Sequence, residues 1–275
     1  MDSDRTAKFS STDARVGLTS LKQSAKSVAK RVIPSQVRRW LRTQQRSLSF
    51  WPPIGWMRFV SLRRVVPVSQ IFGLERGHGI DRYYIEKFLA RHAGDIRGAV
   101  LEIADNRYTS QFGADRVIQS HVLHVQPGNP RATIVADLTS GKNISSASFD
   151  CIILTQTLQF IYDVRSAIFT LHRALKPGGV LLATFPGISQ ISRYDMERWG
   201  EYWRFTTRSA GKMFEERFPE AYVSVEAYGN VLAANAFLQG LALEDVRQKE
   251  LDYFDPNYEV LITVRAKKSE SEIEA

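Results

Sequence analysis

The chain of 275 residues is poor in several features that mark common classes of protein. It contains one cysteine, Cys151, which excludes a disulfide framework within the chain and favours a reducing compartment. No apolar run approaches the roughly 20 residues that a membrane-spanning helix needs. The initial sequence, MDSDRTAKFSSTDAR, also lacks the apolar stretch of a signal peptide. We therefore expect a cytoplasmic protein.

Motifs of several enzyme classes are absent as well. The five histidines are scattered without metal-ligand spacing, so we expect no metal site. There is no Gly-x-Ser-x-Gly elbow and no phosphate-binding loop that ends in Gly-Lys-Ser/Thr. Hydrolase and kinase functions are therefore without support.

Positive charge is concentrated in the first quarter of the chain. Residues 1–70 hold 14 Lys and Arg against 3 Asp and Glu, whereas the remainder holds 23 against 26. Apolar residues at helical spacing, among them Trp40, predict two short helices within residues 15–50. Such a segment is compatible with a solvated arm, with peripheral contact to an anionic membrane surface, or, least expected, with contact to nucleic-acid phosphates.

Residues 149–187, FDCIILTQTLQFIYDVRSAIFTLHRALKPGGVLLATFPG, carry the clearest structural pattern. Short apolar runs at 151–154 and 180–185 are typical of parallel strands that are covered on both faces. Between them, apolar residues at helical spacing form one stripe, and Asp163 can cap that helix. Lys176 suits the negative end of the helix, and the following proline and two glycines end it. The segment is therefore predicted to be a parallel strand–helix–strand crossover.

The same reasoning predicts a doubly wound, Rossmann-like α/β fold with a mostly parallel sheet. The other parallel strands are expected at 99–103, 122–125 and 133–136, and late strands at 222–227 and 258–265 can pair as an antiparallel C-terminal edge hairpin. Helices are predicted to begin at Asp81, which can serve as a cap, and after Thr206, and a long helix is predicted over about 231–251.

We divide the chain into four parts from these patterns. They are a basic, partly helical or disordered extension (1–55), a linker (56–80), the α/β domain (81–267) and a polar tail (268–275). One connection within the domain is unusual, because only about half a dozen residues around 127–130 separate the second and third strands, whereas a parallel crossover takes a dozen or more. Either a bare loop reaches the third strand, or the two strands are not parallel neighbours.

Candidate binding residues follow from the fold class, because ligands of open α/β sheets bind outside the carboxyl ends of the strands. They are Glu102, Ile103, Ala104 and Asp105 after the first strand, Gln126 after the second, Asp137 and Leu138 after the third, and Thr155 and Gln156 after the fourth.

Four motifs occur in a familiar order: VLEIA at 100–104, ADL at 136–138, FDCIILTQTL from 149 and LHRALKPGGVLLAT from 171. Together they resemble a class I S-adenosylmethionine-dependent methyltransferase, over about residues 81–265. The chain is most similar in style to small methyltransferases of bacterial surface-polysaccharide biosynthesis, which residues 201–218 also resemble. The resemblance implies S-adenosylmethionine as the cofactor and a saccharide or glycolipid precursor as the acceptor.

The resemblance also implies roles for individual residues. Glu102 corresponds to the acidic residue that receives the ammonium of the cofactor, and Asp137 to the one that hydrogen-bonds the adenine amino group. For each carboxylate, the alternative is a structural role as a cap or at the edge of the core. Gln126 lies near the position at which the family has an acidic residue that binds the ribose hydroxyls. An amide can make the hydrogen bonds of that carboxylate, but it has no charge.

The cofactor loop departs from the family pattern of acidic-x-Gly-x-Gly-x-Gly. The three glycine positions are occupied by Ala104, Asn106 and Tyr108. Asn106 can adopt positive φ at modest cost, whereas the other two do so poorly. We therefore expect a pocket of altered shape that still binds the cofactor.

The acceptor is expected to meet residues 192–205, SRYDMERWGEYWRF, as they fold over the mouth of the pocket. In this segment Asp195 is the candidate general base and Arg204 or Arg193 the candidate site for an anionic group. Aromatic residues of this segment can stack on a sugar ring. The alternative for Trp203 and Phe205 is a structural role, in which they pack against the protein. Gln159 lies where many relatives carry an acid–base residue, but an amide cannot take a proton.

Three functions remain open. The first is a methyltransferase with a small-molecule or glycan acceptor. The second is a non-catalytic interaction module that keeps the fold, and the absence of glycine from the cofactor loop motivates it. The third and weakest is an RNA methyltransferase, which the basic extension suggests.

Overall fold

The computed structural model describes residues 63–270 of the chain. The two helices predicted within residues 15–50 lie outside these residues. The described part contains a seven-stranded sheet in the order β3-β2-β1-β4-β5-β7-β6. The strands are β1 (Gly98–Ile103), β2 (Val117–His124), β3 (Ile134–Val135), β4 (Phe149–Thr155), β5 (Leu175–Pro186), β6 (Val223–Tyr228) and β7 (Leu261–Lys267). The first five pair in parallel, whereas β7 pairs antiparallel with β5 and with β6. The predicted fold class is confirmed.

Six α-helices accompany the sheet in the described residues. They are α1 (Ile80–Arg91), α2 (Val164–Ala174), α3 (Arg193–Trp199), α4 (Thr207–Glu215), α5 (Val231–Leu238) and α6 (Gln248–Asp252). The helix that was predicted after Thr206 is α4, and Thr206 caps it by accepting a hydrogen bond from the Ser209 amide at 3.2 Å.

Each face of the sheet is covered by its own apolar core. Alternate residues of a strand point to opposite faces, and in β1 the side chain of Leu101 joins the core with α2 and α4, while Val100 joins the core with α1 and α5. Ile152 and Ile153 divide in the same way in β4. Strands covered on both faces need apolar residues at successive positions, which is why the central strands β4 and β5 contain apolar runs without polar alternation.

The crossover β4–α2–β5 forms as predicted at its start. Asp163 caps α2 by accepting a hydrogen bond from the Ser166 amide at 3.1 Å. The predicted role of Lys176 is wrong, because its Nζ donates to Asp150 Oδ2 at 2.7 Å instead of meeting the helix end. The chain leaves α2 directly into β5, and Gly178 provides the positive φ of 75° that the turn requires.

A bare loop, residues 125–133, joins β2 to the parallel strand β3. Leu123 pairs with Ile134 and His124 with Val135, so the first of the two predicted alternatives is correct. Because β3 has only two residues and pairs with the last two residues of β2, the connection spans a short distance and needs no helix. The loop also supports its neighbour, since Asn129 Nδ2 donates to Ala104 O at 2.6 Å.

The prediction of one long helix over 231–251 is wrong. The helical path ends at α5 because Gly240 has a φ of +67°, and a Cβ there would lie 2.3 Å from Ser69 O. After the turn, a short 3₁₀ helix (Leu243–Asp245) and α6 complete the region. Apolar spacing continues through the break, so periodicity alone did not reveal it.

The second half of the predicted linker packs against the α/β domain. The amides of Val68 and Ser69 both donate to Gln239 O, and Phe72 stacks near Phe237 with ring centroids 5.8 Å apart. The domain therefore begins before Asp81. Asp81 is also not the cap that was predicted, because α1 starts one residue earlier and its N-cap position is Gly79.

Candidate functional site

Two adjoining cavities open at the carboxyl ends of β1 and β4, where the strand order of the parallel sheet reverses. They measure about 340 and 480 Å³. The smaller, here called the acidic cavity, is lined by the carboxylate residues Asp81, Glu102, Asp105, Asp195 and Glu201. The larger, the apolar cavity, has Leu123, Val125, Ala136, Leu138 and Ile161 in its walls. Six residues line both cavities and form their junction: Ile103, Ala104, Thr155, Gln156, Phe160 and Asp195.

All nine residues that the sequence nominated for cofactor binding line these cavities. Glu102 and Asp105 belong to the acidic cavity, Gln126, Asp137 and Leu138 to the apolar cavity, and Ile103, Ala104, Thr155 and Gln156 to the junction. The topology thus brings together side chains that are up to 54 positions apart in the sequence.

Glu102 is buried at the end of β1, and its carboxylate holds the loop that follows. Oε1 accepts a hydrogen bond from the Tyr108 amide at 3.1 Å, and Oε2 accepts from the Thr109 amide and hydroxyl, both at 2.7 Å. Burial raises the pKa of Glu102 above its ordinary value, against the effect of these hydrogen bonds. These contacts are those of a cap on the loop, and the predicted contact of Glu102 with the cofactor stays a prediction.

Ala104 adopts a conformation that usually requires glycine, with φ +71°. The Asp105 amide donates across it to Ile103 O at 2.9 Å, which closes a tight three-residue turn. The Ala104 amide donates to Leu123 O at 2.9 Å, and its carbonyl accepts from Asn129. Three hydrogen bonds therefore stabilise this turn although it contains no glycine.

The other two family glycine positions do not need positive φ in this loop. Tyr108 has φ −72°, and Asn106 is not among the residues of positive φ. Both lead into a one-turn π-helix (Thr109–Gly113). The expected strain at Tyr108 therefore does not arise, and the strain is confined to Ala104.

The lining of the apolar cavity also includes polar residues, among them Asp137 and Gln126, and both are exposed. Asp137 Oδ1 accepts a hydrogen bond from the Thr139 amide and Oδ2 accepts from the Thr139 hydroxyl, both at 2.8 Å. A carboxylate has about four acceptor positions, so Asp137 keeps capacity for a further donor.

Two buried oxygen atoms of the acidic cavity have no hydrogen-bond donor among the described residues: Gln159 Oε1 and Asp81 Oδ1. Gln159 is 3% exposed, and its Nε2 donates to Gln156 Oε1 at 3.2 Å. Gln156, at the junction, has a φ of +48°. Sequence reasoning missed Asp81 as a site residue because it was assigned to the cap of α1.

The segment predicted to cover the pocket mouth does reach both cavities. Asp195, in the first turn of α3, lines the two of them, and its Oδ2 accepts a hydrogen bond from the Ser192 hydroxyl at 2.6 Å. Phe205 is buried against Phe185, with ring centroids 5.0 Å apart, so it packs. Trp203 donates through Nε1 to Ile161 O at 3.0 Å and lies outside both linings.

Arg204 does not line either cavity, contrary to the expectation that it meets an acceptor. Its Nη2 donates to Gln190 O at 2.7 Å and lies 2.6 Å from Glu201 Oε1. Glu201 Oε2 in turn accepts from the Ser192 amide at 2.9 Å. The guanidinium therefore braces the covering segment, and its predicted role toward the acceptor stays a prediction. Arg193 is likewise outside both linings.

Residues 63–270 contain neither a candidate metal centre nor a candidate membrane span. No group of three His, Cys, Asp or Glu side chains in this part could hold a metal ion. None of the helices in the same part is both long enough and apolar enough to cross a membrane.

Part of the chain is similar to known proteins. Residues 95–183 match a family model described as a methyltransferase domain, which is under half of the chain. A comparison with curated proteins gives no match. Among solved structures, a phosphoethanolamine N-methyltransferase 2 of Haemonchus contortus in complex with S-adenosyl-L-methionine is 17% identical, with 79% of this chain and 61% of that chain covered and a TM-score of 0.49. A SAM-dependent methyltransferase of Archaeoglobus fulgidus is 11% identical, with 68% and 94% covered and a TM-score of 0.45. The N-methyltransferase NodS of Bradyrhizobium japonicum is 16% identical, with 69% and 97% covered and a TM-score of 0.43.

Proposed function

We propose that this chain is an S-adenosylmethionine-dependent methyltransferase. The observation that carries the proposal is the pair of adjoining cavities at the switch point of the sheet, whose walls after β1 to β4 belong to the region that matches the methyltransferase model. The adenosine part of the cofactor would bind in the apolar cavity and its methionine part at the junction and towards Glu102, which leaves the part of the acidic cavity beside Asp195 and Glu201 for the acceptor.

The residues present suit this cofactor. Apolar walls around Leu123 and Leu138 can take a purine, while Asp137 retains acceptor capacity for its amino group. Gln126 can meet the ribose hydroxyls with an amide. Ala104 already holds the positive φ of the family loop, which removes the main argument for a non-catalytic module.

The cofactor supplies an activated methyl group, so the chain has to align the acceptor and accept its proton. Asp195 is the best-situated base, because it is the carboxylate shared by both cavities. The hydrogen bond from Ser192 fixes its orientation. Gln159 also lines the acidic cavity, but its amide cannot take a proton. Its role in this proposal is therefore to hold the acceptor by hydrogen bonds.

The acceptor class in this proposal is a saccharide or a glycolipid precursor. Its support is the resemblance of residues 201–218. Tyr162 and Tyr202, whose ring centroids lie 5.4 Å apart, line the apolar cavity, where they can stack on the adenine.

Calorimetric titration of the full chain with S-adenosylmethionine and with its demethylated product tests the cofactor site. We expect both to bind, and Asp137→Ala to weaken binding by at least about tenfold, as loss of a hydrogen bond to a charged group does. Asp115→Ala is the matched control, because Asp115 is exposed and lies outside both linings. Absence of binding at millimolar ligand would instead favour the non-catalytic module.

The basic segment at residues 15–50 lies outside the described residues, and its contact with an anionic membrane surface stays a prediction. Sedimentation with vesicles that contain phosphatidylserine checks it. Binding that falls with salt and is lost on removal of residues 1–50 is the expected result. Binding to RNA instead would favour the RNA methyltransferase.

A further inference from the structure

Two segments of the chain, 64–74 and 187–194, border the acidic cavity and touch each other. Both contribute residues to its lining. Gln190 Nε2 donates a hydrogen bond to Gln70 O at 2.9 Å, which joins the two segments. Leu74 lines the cavity and is also exposed to solvent, so this border lies between the cavity and the outside. The two segments, here called the lip segments, therefore form one side of the mouth of the cavity.

The lip segments expose large apolar side chains. Ile71, Leu74, Ile191 and Tyr194 are 54%, 49%, 47% and 65% exposed, and we call these four residues the apolar rim. Ile191 and Tyr194 lie on either side of Ser192, which lines the cavity. Single exposed apolar residues are ordinary on a protein surface, whereas a group of them around an opening marks a binding surface.

The charge of the lip segments indicates what binds there. They contain two cations, Arg64 and Arg193, and no aspartate or glutamate. Arg64 donates to a backbone carbonyl and Arg193 to a methionine sulfur, and neither forms a salt bridge with a carboxylate in residues 63–270. The exposed carboxylates nearest in sequence are Glu75, which accepts from the Ser69 hydroxyl at 2.7 Å, and Glu197. Apolar and tyrosine side chains beside unpaired cations suit the surface of a bilayer with anionic lipids.

We propose that the apolar rim inserts into the surface of a lipid bilayer that contains anionic lipids, with Arg64 and Arg193 at the level of the phosphates. Insertion is favourable because it removes the exposed apolar surface of the rim from water. A symmetric dimer through the rim would bring the same cations of two copies together, and this repulsion disfavours a second copy as the partner.

The position of the rim also selects between the two acceptor classes named above, and this step rests on the proposed methyltransferase function. The methionine part of the cofactor takes up part of the acidic cavity, which measures about 340 Å³. The remaining space suits a headgroup and not a lipid chain. The acceptor is then a glycolipid whose sugar enters beside Asp195 while its chain stays in the bilayer, because a free saccharide needs no apolar rim.

A fluorophore on the rim tests the insertion directly. The chain has one cysteine, Cys151, which is completely buried, and burial raises the pKa of its thiol. A thiol-reactive fluorophore therefore labels an introduced cysteine selectively. In the full chain, Ile191→Cys places the label on the rim. Ile118→Cys is the matched control, because Ile118 is exposed near the amino end of β2, at the opposite end of the sheet from the cavities.

The labelled chains are mixed with vesicles of phosphatidylcholine and phosphatidylserine that carry a nitroxide on the lipid chain. We expect quenching of the label in Ile191→Cys and no quenching in Ile118→Cys, because only the rim reaches the hydrocarbon. Quenching of neither label, or of both to the same extent, would overturn the proposal.

Removal of the apolar side chains measures what the rim contributes. Ile71→Ser combined with Ile191→Ser should weaken sedimentation with nitroxide-free vesicles by at least about tenfold. Ile118→Ser should leave it unchanged, although Ile118 is 84% exposed. High salt screens the attraction of the basic segment 15–50 and leaves the apolar contribution. Equal binding of the rim variant and the control, or loss of all wild-type binding at high salt, would contradict the proposal.

Two further measurements separate this proposal from its alternatives. Sedimentation velocity without vesicles should show no association of the chain; association that the rim variant abolishes would assign the rim to a second copy and overturn the bilayer as its partner. If S-adenosylhomocysteine does not bind, the methyltransferase function fails, and the vesicle measurements still decide whether the rim inserts. If it binds and the rim label is not quenched, only the bilayer proposal fails.

Discussion

The crossover β4–α2–β5 and the loop region around β1, β2 and β3 lie at the same sheet but are stabilised in different ways. In the crossover, Leu171 and Ile152 are completely buried, and the two strands pair over most of their length. Around β1 to β3 there is a one-turn π-helix, a bare connection and a strained alanine, held by polar contacts such as Glu102 to Thr109 and Asn129 to Ala104. The buried part of the crossover supplies stability, and the loop region, together with the β4–α2 connection, supplies the shape of the site.

The largest effect is expected from a cavity in the crossover. Leu171→Ala should lower the free energy of unfolding by about 2–5 kcal/mol, because the side chain is fully buried in α2. Affinity for S-adenosylhomocysteine, measured well below the melting temperature, should stay unchanged. Phe169→Ala on the same helix is the control, since this side chain is 46% exposed and its loss should cost less than about 1 kcal/mol. A large loss of affinity in Leu171→Ala would break the division between the two regions.

An intermediate effect is expected at the loop anchor. Glu102→Gln replaces an acceptor of three hydrogen bonds by an amide that can accept at only one end, and should cost about 1–3 kcal/mol. Unlike Leu171→Ala, it should also weaken cofactor binding, because the same contacts set the shape of the loop. Chemical denaturation and calorimetry on the same samples measure both.

The pH dependence of this variant follows from the raised pKa of Glu102, which burial causes. A carboxyl whose pKa is higher in the folded state binds its proton more tightly there, so folding is favoured at low pH. The stabilisation that Glu102 gains from its raised pKa is fully present at a pH below the ordinary pKa of a glutamate, and it is lost as the pH rises through the raised pKa of the folded state. The stability difference between wild type and Glu102→Gln should therefore shrink with rising pH over that range, and a difference that grows instead would contradict the assignment.

The smallest effect is expected at the strained turn, and it has the opposite sign. Ala104→Gly relieves a φ of +71° and should raise the free energy of unfolding by up to about 1 kcal/mol. Ala90→Gly, at an exposed position in α1, should lower it by about 0.5–1 kcal/mol. Thermal melting compares the two. A destabilised Ala104→Gly would mean that the turn is not strained.

Sequence patterns predicted the crossover better than the loop region, for a physical reason. Apolar periodicity reports burial, so the strands on either side of α2 and the antiparallel edge could be located within a few residues. The Asp81 carboxylate could not be assigned to the site, because the N-cap of α1 lies two residues earlier than predicted, at Gly79, and this shift moves Asp81 from a cap to a cavity wall. The φ of Ala104 depends on hydrogen bonds to Leu123 and Asn129, which no local pattern reveals.

The nine cofactor candidates were found together because fold topology, and not local sequence, brings strand ends to one edge. Arg204 shows the limit of that reasoning. It lies in the right segment, but its guanidinium is engaged by Glu201 and by a backbone carbonyl. Which side chains of a covering segment face inward is decided by tertiary packing.

A crystal structure of the full chain with S-adenosylhomocysteine tests the central claim most directly. The account predicts adenine in the apolar cavity, within hydrogen-bonding distance of Asp137, and the thioether sulfur at the junction between Ala104 and Asp195. Ligand bound elsewhere, or both cavities free of ligand at saturating concentration, would contradict it.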